Sequence, residues 1–410
     1  MSGRAENAVR MMTRMDAVQS PIIPVIGAMI RQTPGTISLG QGVVHYGPPR
    51  AAVDAVREAL GSDAGAKLLH SYGDVAGHAP LVEAITRKLK VENGIDVTQG
   101  SRVMVTAGAN MAFMHAVLSI TSVGDEVILP TPFYFNHEMA IEMAGCRAVR
   151  VPTDDHYQLR LDAIAAAITE RTRAIVTISP NNPSGAVLTE ASLRAVNALS
   201  AERGIFHISD EPYEYFTYGV RHTSPGAFTG AAAHTISMFS LSKAYGFAGW
   251  RIGYMVYPEA LTSAMAKSQD TILICPTIAA QVGATAALQV GRAYCADYVA
   301  ELGSVRDIVV HELSALAPLA SVPAADGAFY VLLRVDTGMQ PLAIAERLIR
   351  EHKVAVIPGD AFGMTDGCYF RVAYGALQKA TVAEGVGRLV DGLRKILGGT
   401  SNLELEVRSE

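Results

Sequence analysis

The sequence predicts an α/β fold: a large domain with a mostly parallel, seven-stranded-type sheet between helices, and a smaller α+β domain. Short, apolar, β-branched runs recur through the chain as far as Ile278. Helical periodicity fills most of the intervals between these runs, and the pattern becomes mainly helical beyond Ile278. Alternating strands and helices are typical of a buried parallel sheet.

The predicted strands of the large domain are residues 102–105, 126–129, 148–151, 174–178, 205–209, 235–239 and 252–256. Its predicted helices are residues 51–60, 80–90, 111–120, 161–168 and 190–201. Further on, the pattern predicts helices at 279–290 and 294–316, strands at 328–333 and 369–373, and a final helix at 383–397. The segment before Gly35 reads as an irregular arm with one short helix.

Composition excludes several classes of protein. A chain of 410 residues with 50% hydrophobic residues and net charge −5 can build a large core, and it offers no electrostatic basis for binding nucleic acid or an anionic membrane. The apolar stretch at residues 21–30 is too short and too interrupted by proline to span a bilayer. The four widely spaced cysteines favour a reducing, cytoplasmic compartment.

The stretch around Lys243 carries the strongest chemical signal. A predicted strand ends at Phe239, and Ser240, Ser242 and Lys243 follow it. A lysine at the mouth of buried strands is poorly hydrated, which lowers its pKa and leaves an amine able to form a Schiff base with an aldehyde. The hydroxyls and nearby Arg251 suit a phosphate, so the stretch points to pyridoxal phosphate. A solvated Ser/Gly loop is the ordinary alternative.

Other strand ends carry compatible groups. Residues 106–110 join a strand to a helix whose free amides could bind phosphate, and residues 131–137 offer aromatic rings that could stack on a flat ring. Asn182 could donate a hydrogen bond to a phenolate or carboxylate. Asp210 ends a buried strand and could pair with a protonated pyridine nitrogen, within reach of Tyr213. Turn formation or core packing is the alternative for each motif alone.

Arg371 lies inside an apolar strand, where a guanidinium is costly unless an anion pairs with it. A substrate carboxylate or a structural salt bridge would satisfy it. The spaced Gly40 and Gly42 allow backbone amides to approach a ligand closely, although an ordinary turn would also use them. Ligands bind at strand ends of α/β sheets, so these groups are expected to converge.

These motifs together resemble the class I and II aminotransferases, the fold-type I pyridoxal-phosphate enzymes, over nearly the whole chain. The resemblance rests on Gly40-Gln-Gly42, Asn182-Pro-Ser-Gly, Asp210-Glu-Pro-Tyr, Ser240-Leu-Ser-Lys, Arg251 and Arg371, in that order. It implies an arm and part of the small domain at 1–48, a large cofactor-binding domain at 49–290, a small domain at 291–397 and a polar, loosely held tail at 398–410.

The resemblance also implies roles for individual residues. Lys243 would form the Schiff base and act as acid and base in a ping-pong reaction, with Asp210 and Tyr213 as catalytic partners. The cofactor would be bound by Tyr72, Gly108, Ala109, Asn110, Tyr134, Asn182, Asp210, Tyr213, Ser240, Ser242, Lys243 and Arg251, with His137 behind Asp210. Gly42, Asn182 and Arg371 would hold the substrate carboxylate. Tyr72 would reach the neighbouring subunit's cofactor, which implies a homodimer with shared sites.

The sequence predicts a class of substrate and no single amino acid. Asn110 departs from the small hydroxyl or glycine that the family often has, and the sequence offers no clear second arginine for a dicarboxylate. Tyr46, Tyr245 and the apolar residues 22–26 favour an apolar, methionine-like or aromatic L-amino acid, with a 2-oxo acid as its counterpart.

A lyase or cyclase on the same fold would share every residue named, so it stays an alternative. A non-enzymatic, cofactor-sensing regulator is a remote alternative, since the chain carries no basic patch for DNA. A nicotinamide-dependent dehydrogenase would need a glycine-rich first turn that is missing, and His311-Glu312 lacks the second histidine of a zinc helix.

Overall fold

The computed structural model describes residues 13–407, and the side chains of residues 13–398. Residues 1–12 of the predicted arm and 408–410 of the predicted tail lie outside the described residues. The strands are β1 (Ile37–Ser38), β2 (Ser101–Thr106), β3 (Glu126–Thr131), β4 (Arg147–Pro152), β5 (Thr172–Ile178), β6 (Phe206–Asp210), β7 (Thr235–Ser240), β8 (Gly253–Pro258), β9 (Ala320–Ser321), β10 (Tyr330–Val335), β11 (Val354–Ala355), β12 (Ile357–Pro358) and β13 (Cys368–Ala373).

The α-helices of the described residues are α1 (Ile22–Arg31), α2 (Arg50–Leu60), α3 (Asp63–Leu69), α4 (Ala79–Lys88), α5 (Ala109–Ile120), α6 (Phe135–Met143), α7 (Leu161–Ala166), α8 (Glu190–Arg203), α9 (Thr262–Ile272), α10 (Ile278–Val290), α11 (Ala293–Ser314), α12 (Pro341–His352) and α13 (Lys379–Val407). In this part of the chain, no helix is both long enough and apolar enough to cross a membrane.

The main sheet has seven strands in the order β2-β8-β7-β6-β5-β3-β4. Strand β8 runs antiparallel to both of its neighbours, and the other neighbouring pairs are parallel. This arrangement confirms the predicted mostly parallel sheet. The strands β5, β6 and β7 lie side by side, so their carboxyl ends, Ile178, Asp210 and Ser240, come together at one edge.

Both faces of the central strands β5, β6 and β7 are buried, which explains why these strands are mainly apolar. Val127 and Leu129 join a core cluster with Phe113 of α5. Ile128, which lies between them in the sequence, joins a different cluster with Val196 of α8. Successive side chains of a strand point to opposite faces, so the helices cover the sheet from two sides.

A second sheet has four antiparallel strands in the order β12-β13-β10-β9. Strand β1 pairs with β11 in a separate parallel ladder, with Ile37 opposite Val354. The segment near the start of the chain therefore packs with the C-terminal part. The predicted domain boundaries at residues 49 and 291 stay a prediction.

Several element boundaries differ from the prediction. The final helix continues to Val407 rather than ending at residue 397. The helix expected at residues 80–90 ends at Lys88, and a π-helical turn, Leu89–Asn93, follows it. Helix α6 was not predicted, because residues on both of its faces are buried and its sequence lacks a clear polar side. Helix α12 was not predicted individually, since its region was expected only to be mixed. Its proline lies in the first turn, where proline favours the start of a helix.

Candidate active site

One pocket, with a volume of about 330 Å³, lies where the carboxyl ends of β5, β6 and β7 meet. The loop around Gly42 and strand β13 also line it. Ligands bind at this edge of open α/β sheets. The predicted site residues that line it are Gly42, Ala109, Asn110, Tyr134, Asn182, Asp210, Tyr213, Ser240, Ser242, Lys243, Arg251 and Arg371.

Lys243 follows the end of β7, and its side chain is partly buried among the pocket residues. Its ammonium group donates a hydrogen bond to the carbonyl oxygen of Gly42. Burial, with further contributions from Arg371 and Arg251, lowers the pKa of Lys243 to about 8, while Asp210 acts in the opposite direction. At this pKa roughly a tenth of the amine is unprotonated at pH 7, and that fraction can act as a nucleophile or a base.

The start of α5 forms an anion cradle with Arg251. The helix has Gly108 at its N-cap and no capping side chain, so its first amides remain open. A Cβ atom on Gly108 would lie 2.5 Å from the Arg251 Nη2 atom, so glycine is what lets the guanidinium approach. Arg251 adopts a left-handed backbone (φ 57°), and its Nη1 atom lies 3.5 Å from the Ser242 hydroxyl.

Strand β8 fixes the position of this cradle. A Cβ atom on Gly253 would lie 2.8 Å from the Gly108 carbonyl carbon and 2.9 Å from the Ala109 amide nitrogen. Because these are backbone atoms, they cannot move aside as a flexible side chain would. Gly253 therefore allows β8 to pack directly against the first turn of α5.

Asp210 is a buried carboxylate, and only one of its two oxygens has a partner within the described chain. Its Oδ2 atom lies 3.2 Å from Nε2 of His137, and its Oδ1 atom is buried without a hydrogen-bond partner among the described residues. His137 stacks on Phe113 with the ring centroids 4.1 Å apart, while Tyr134 contacts its edge. Packing thus holds the histidine behind Asp210, and the free carboxylate oxygen is left for a cation.

Arg371 is anchored at two points from β13. Its Nη1 atom donates to the Asn182 side-chain oxygen over 3.0 Å, and its Nη2 atom donates to the Gly40 carbonyl over 2.7 Å. The side chain is only 2% exposed, and its Nε atom has no hydrogen-bond partner in the described part of the chain. An oxyanion in the pocket would supply the charge and the acceptor that this guanidinium needs.

Asn182 and Tyr213 both line the pocket and contact each other. The Asn182 amide nitrogen donates to the Tyr213 hydroxyl over 3.4 Å, and that hydroxyl lies 2.9 Å from the hydroxyl of Tyr330. Burial raises the pKa of Tyr213 well above its ordinary value, so the phenol stays protonated at neutral pH. Sequence reasoning missed Tyr330, because only the β10–β13 register puts it on the same face as Arg371.

Some predicted residues do not line the pocket. Gly108 lies just beyond its wall and acts through Arg251, as described above. Tyr72 is 84% exposed and lies outside the pocket of this chain. Tyr46 and Tyr245 do not line it either, so the expectation that they shape the substrate side is not supported within this chain. Of the apolar arm, Ile23 does line the pocket.

The donor set fits pyridoxal phosphate. The cradle offers hydroxyls, open amides and a guanidinium to a phosphate. The unpartnered Asp210 oxygen suits a protonated ring nitrogen, and Lys243 offers an amine to an aldehyde. Arg371 retains an unpartnered donor for a second anion. Each functional group of the cofactor therefore has a matching group in the same pocket.

Comparison with known proteins agrees with this chemistry. Residues 34–389 match the family model for "Aminotransferase class I and II". The chain is 33% identical over 387 residues to the aromatic aminotransferase ISS1 of Arabidopsis thaliana, covering 92% of this chain and 94% of that protein. It is also 33% identical over 393 residues to an aspartate aminotransferase of Pyrococcus abyssi, covering 94% and 98%. The crystal structure of an aromatic aminotransferase from Pyrococcus horikoshii superposes with a TM-score of 0.82 at 32% identity, covering 90% of this chain and 99% of that one.

Proposed function

This chain belongs to the class I and II aminotransferases, fold-type I enzymes that use pyridoxal phosphate to move an amino group between an amino acid and a 2-oxo acid, and we propose that Lys243 moves the proton in this transfer. The relatives that match most of the chain are aminotransferases. The prediction of amino-group transfer is thus confirmed. The motifs alone had also left open a lyase or cyclase and a regulator.

Lys243, Asp210 and Arg371 all line one pocket, and this observation is the main support for the roles proposed below. When bound, pyridoxal phosphate supplies an aldehyde that condenses with amines and a ring that accepts an electron pair. Lys243 would accept the proton from the substrate α-carbon and deliver it to the cofactor carbon that carried the aldehyde, because a pKa of about 8 lets the amine both accept and donate a proton near neutral pH.

The other residues bind and orient. Asp210, held by His137, would place a negative oxygen beside the ring nitrogen of the cofactor, and Tyr134, whose ring contacts the edge of His137, would pack against the cofactor ring. Arg371 and Asn182 bind the substrate α-carboxylate, which fixes the α-carbon relative to the lysine amine. The phosphate would be held by groups that all line the pocket, namely the amides of Ala109 and Asn110, the hydroxyls of Ser240 and Ser242, and Arg251.

Replacement of the lysine tests this proposal. Lys243→Ala is expected to lower kcat by about 10²–10⁴, the usual contribution of a positioned acid and base, and to abolish the visible absorbance of the bound cofactor. Lys395→Ala, in an exposed position on α13, is the matched control and should leave both unchanged. Normal turnover by Lys243→Ala would contradict the proposed role.

We propose a substrate with one carboxylate and an apolar or aromatic side chain. The pocket's cationic side chains are Lys243, Arg251 and Arg371, and each already has a role in this account. Within the described residues that line the pocket, no further cation is left for a distal carboxylate. Ile23, Val43 and Phe135 add apolar lining. The relatives' names include both aromatic and aspartate aminotransferases, so the pocket lining, and not the names, supports this substrate class.

A comparison of amino donors tests the substrate. Phenylalanine, tyrosine and methionine should each give a higher kcat/KM than aspartate with a common 2-oxo acid acceptor. Incubation with one of these donors alone should release about one equivalent of 2-oxo acid per site, without ammonia. A higher kcat/KM for aspartate than for phenylalanine would overturn the substrate proposal and leave the transfer reaction intact.

We also propose that the chain works as a homodimer in the cytoplasm. Tyr72 is 84% exposed, Leu68, four residues before it, is 37% exposed, and Gly73 lies close to the Ile278 side chain. Exposed apolar side chains of this kind favour a partner chain. All four cysteines are free thiols, in keeping with a reducing compartment. Light scattering after gel filtration should give twice the 43.4 kDa chain mass, and a monomer would exclude shared sites.

A further inference from the structure

Tyr330 is a fully buried pocket residue at the start of β10 that touches three parts of the site. Its hydroxyl lies 2.9 Å from that of Tyr213, and its ring lies below Arg371 with the guanidinium carbon 4.8 Å from the ring centre. A Cβ atom on Gly42 would lie 2.9 Å from the Tyr330 hydroxyl. The same side chain thus contacts the cofactor-side phenol, the carboxylate-binding arginine and the loop across the pocket.

The hydrogen bonds around Tyr213 can be counted. Asn182 directs its side-chain oxygen towards Arg371, so its amide hydrogens point towards Tyr213. The Tyr213 oxygen therefore accepts a hydrogen bond from Asn182. Burial raises the pKa of Tyr213 well above its ordinary value and that of Tyr330 to about 12, although Arg371 acts against the second increase. Both phenols therefore carry their protons at neutral pH.

The hydroxyl groups of Tyr213 and Tyr330 share one hydrogen bond, and only one of the two protons can form it. A buried hydroxyl requires a hydrogen-bond partner, and the structure gives Tyr330 the hydroxyl of Tyr213. If Tyr330 donates, the proton of Tyr213 is free to point into the pocket. If Tyr213 donated instead, it would have no proton left for an acceptor there. A negative oxygen in the pocket favours the first arrangement, because donors in a chain reinforce one another towards an anion.

We infer that Tyr330 is a positioning residue, which donates its hydrogen bond to Tyr213 so that Tyr213 presents its proton to an anionic oxygen of the bound cofactor. The inference rests on the proposed function of this pocket. The Tyr330 ring at the same time packs against Arg371, so one side chain positions the phenol and the carboxylate-binding guanidinium relative to each other. A leucine or other aliphatic residue would do neither.

Tyr330→Phe tests the hydroxyl and keeps the ring. Without the donor, the anionic oxygen is less stabilised, so the pH at which the absorbance of the bound cofactor changes should rise by about 0.5–1 pH unit, the equivalent of one net hydrogen bond. Cofactor-free Tyr330→Phe protein should bind pyridoxal phosphate about 2–10-fold more weakly, for the same reason. The value of kcat should fall several-fold, while KM for the amino donor stays within about twofold because Arg371 keeps its ring contact.

Two further variants separate the hydroxyl from the ring and from general burial. Tyr330→Leu should raise KM as well, since Arg371 loses the aromatic surface beside it. Tyr374→Phe removes a hydroxyl from an equally buried tyrosine outside the pocket lining, and it should leave the absorbance change, the affinity and the kinetics unchanged.

The outcomes distinguish this inference from the proposed function. An active wild type whose Tyr330→Phe variant keeps the wild-type pH profile and cofactor affinity would overturn the role of Tyr330. A variant that loses only thermal stability, with an unchanged pH profile, would also overturn it, since that result indicates a merely structural role. A wild-type protein without cofactor absorbance or amino-group transfer would instead contradict the proposed function.

Discussion

Lys243→Met is expected to stabilise the cofactor-free protein at neutral pH, although it destroys the proposed catalytic group. In the folded chain, burial and the nearby arginines Arg371 and Arg251 lower the pKa of Lys243 from 10.5 to about 8. That difference corresponds to roughly 3 kcal/mol of destabilisation at pH 7, and it is an upper limit because the pocket admits water. Methionine has a similar length and no charge, so it removes this cost.

The replacement also removes the hydrogen bond from Lys243 to the Gly42 carbonyl. Gly42 is only partly buried, so water can replace this donor. After allowance for the lost hydrogen bond, the net gain in the free energy of unfolding is expected to be about 1–3 kcal/mol at pH 7.

The sign of the pH dependence follows from the two pKa values. Below about pH 8 the lysine is protonated in both the folded and the unfolded chain, so the folded protein bears the full cost of the buried charge. Between about 8 and 10.5 the unfolded chain binds more protons, and the stability of the wild type rises with pH. Above 10.5 neither state is protonated, and the advantage of the methionine variant disappears.

Urea unfolding of the cofactor-free protein, followed by circular dichroism at pH 7 and pH 10, measures this difference. One protein concentration should be used throughout, because subunit association would also change the midpoint. Lys395→Met, at an exposed position of α13, controls for the general effect of removing a lysine and should show no pH-dependent gain. Two results would contradict the predicted cost of the buried charge. One is a Lys243→Met variant that is less stable than wild type at pH 7, and the other is a gain in the free energy of unfolding that is the same at both pH values.

Three further predictions concern other parts of the site and its support. Arg371→Lys should raise KM for the amino donor by about 10–100-fold in steady-state assays, because an ammonium cannot reproduce the planar, charge-assisted contacts of a guanidinium. Gly253→Ala should weaken the binding of inorganic phosphate and of pyridoxal phosphate to the cofactor-free protein, measured by fluorescence titration, because its Cβ atom would collide with backbone at the start of α5; Gly338→Ala, which meets nothing within 4 Å, is the control. Lys88→Met should lower the free energy of unfolding by about 3–5 kcal/mol in urea, because it leaves Glu214 buried without its cation, and a Lys88→Met, Glu214→Leu double variant should recover most of the loss.

The main sheet and most of the pocket were predictable from the sequence, because the governing signals are local. Asn182, Asp210 and Lys243 each lie at or shortly after the end of a mainly apolar run. The rule that parallel strands share one carboxyl edge then brings these residues together without knowledge of any long-range contact. The predicted convergence of these three side chains is confirmed by their common place in the pocket lining.

Tyr330 could not be found in this way. Its strand was predicted, but the functional meaning of its hydroxyl depends on the antiparallel register that sets Leu332 opposite Arg371 and thereby puts Tyr330 on the same face. A shift of one residue would turn the tyrosine to the other side of the sheet, and no local signal in the sequence fixes that register. The proposed role of Tyr72 stays a prediction for a different reason, since it depends on a second subunit.

Two groups of buried polar side chains near Tyr213 differ in how completely the chain satisfies them. Behind the Asp210–Tyr213 loop, Lys88 contacts Glu214, and Asn93 bonds to both of them, so these buried charges are satisfied within the chain. In the pocket, by contrast, Asp210 retains a carboxylate oxygen without a hydrogen-bond partner among the described residues.

Two further buried groups line the pocket with Asp210. They are Lys243, whose pKa is lowered, and Arg371, whose Nε atom has no hydrogen-bond partner among the described residues. Buried groups left in this condition destabilise a fold unless something binds them, whereas the network around Lys88 shows that this chain can satisfy such groups a short distance away. Because Arg371, Asp210 and Lys243 all line one cavity, a single ligand that carries complementary groups relieves the cost of burying all three. Cofactor binding should therefore raise stability by more than phosphate alone, and that surplus measures the part of the binding energy that comes from the ring and aldehyde side of the pocket.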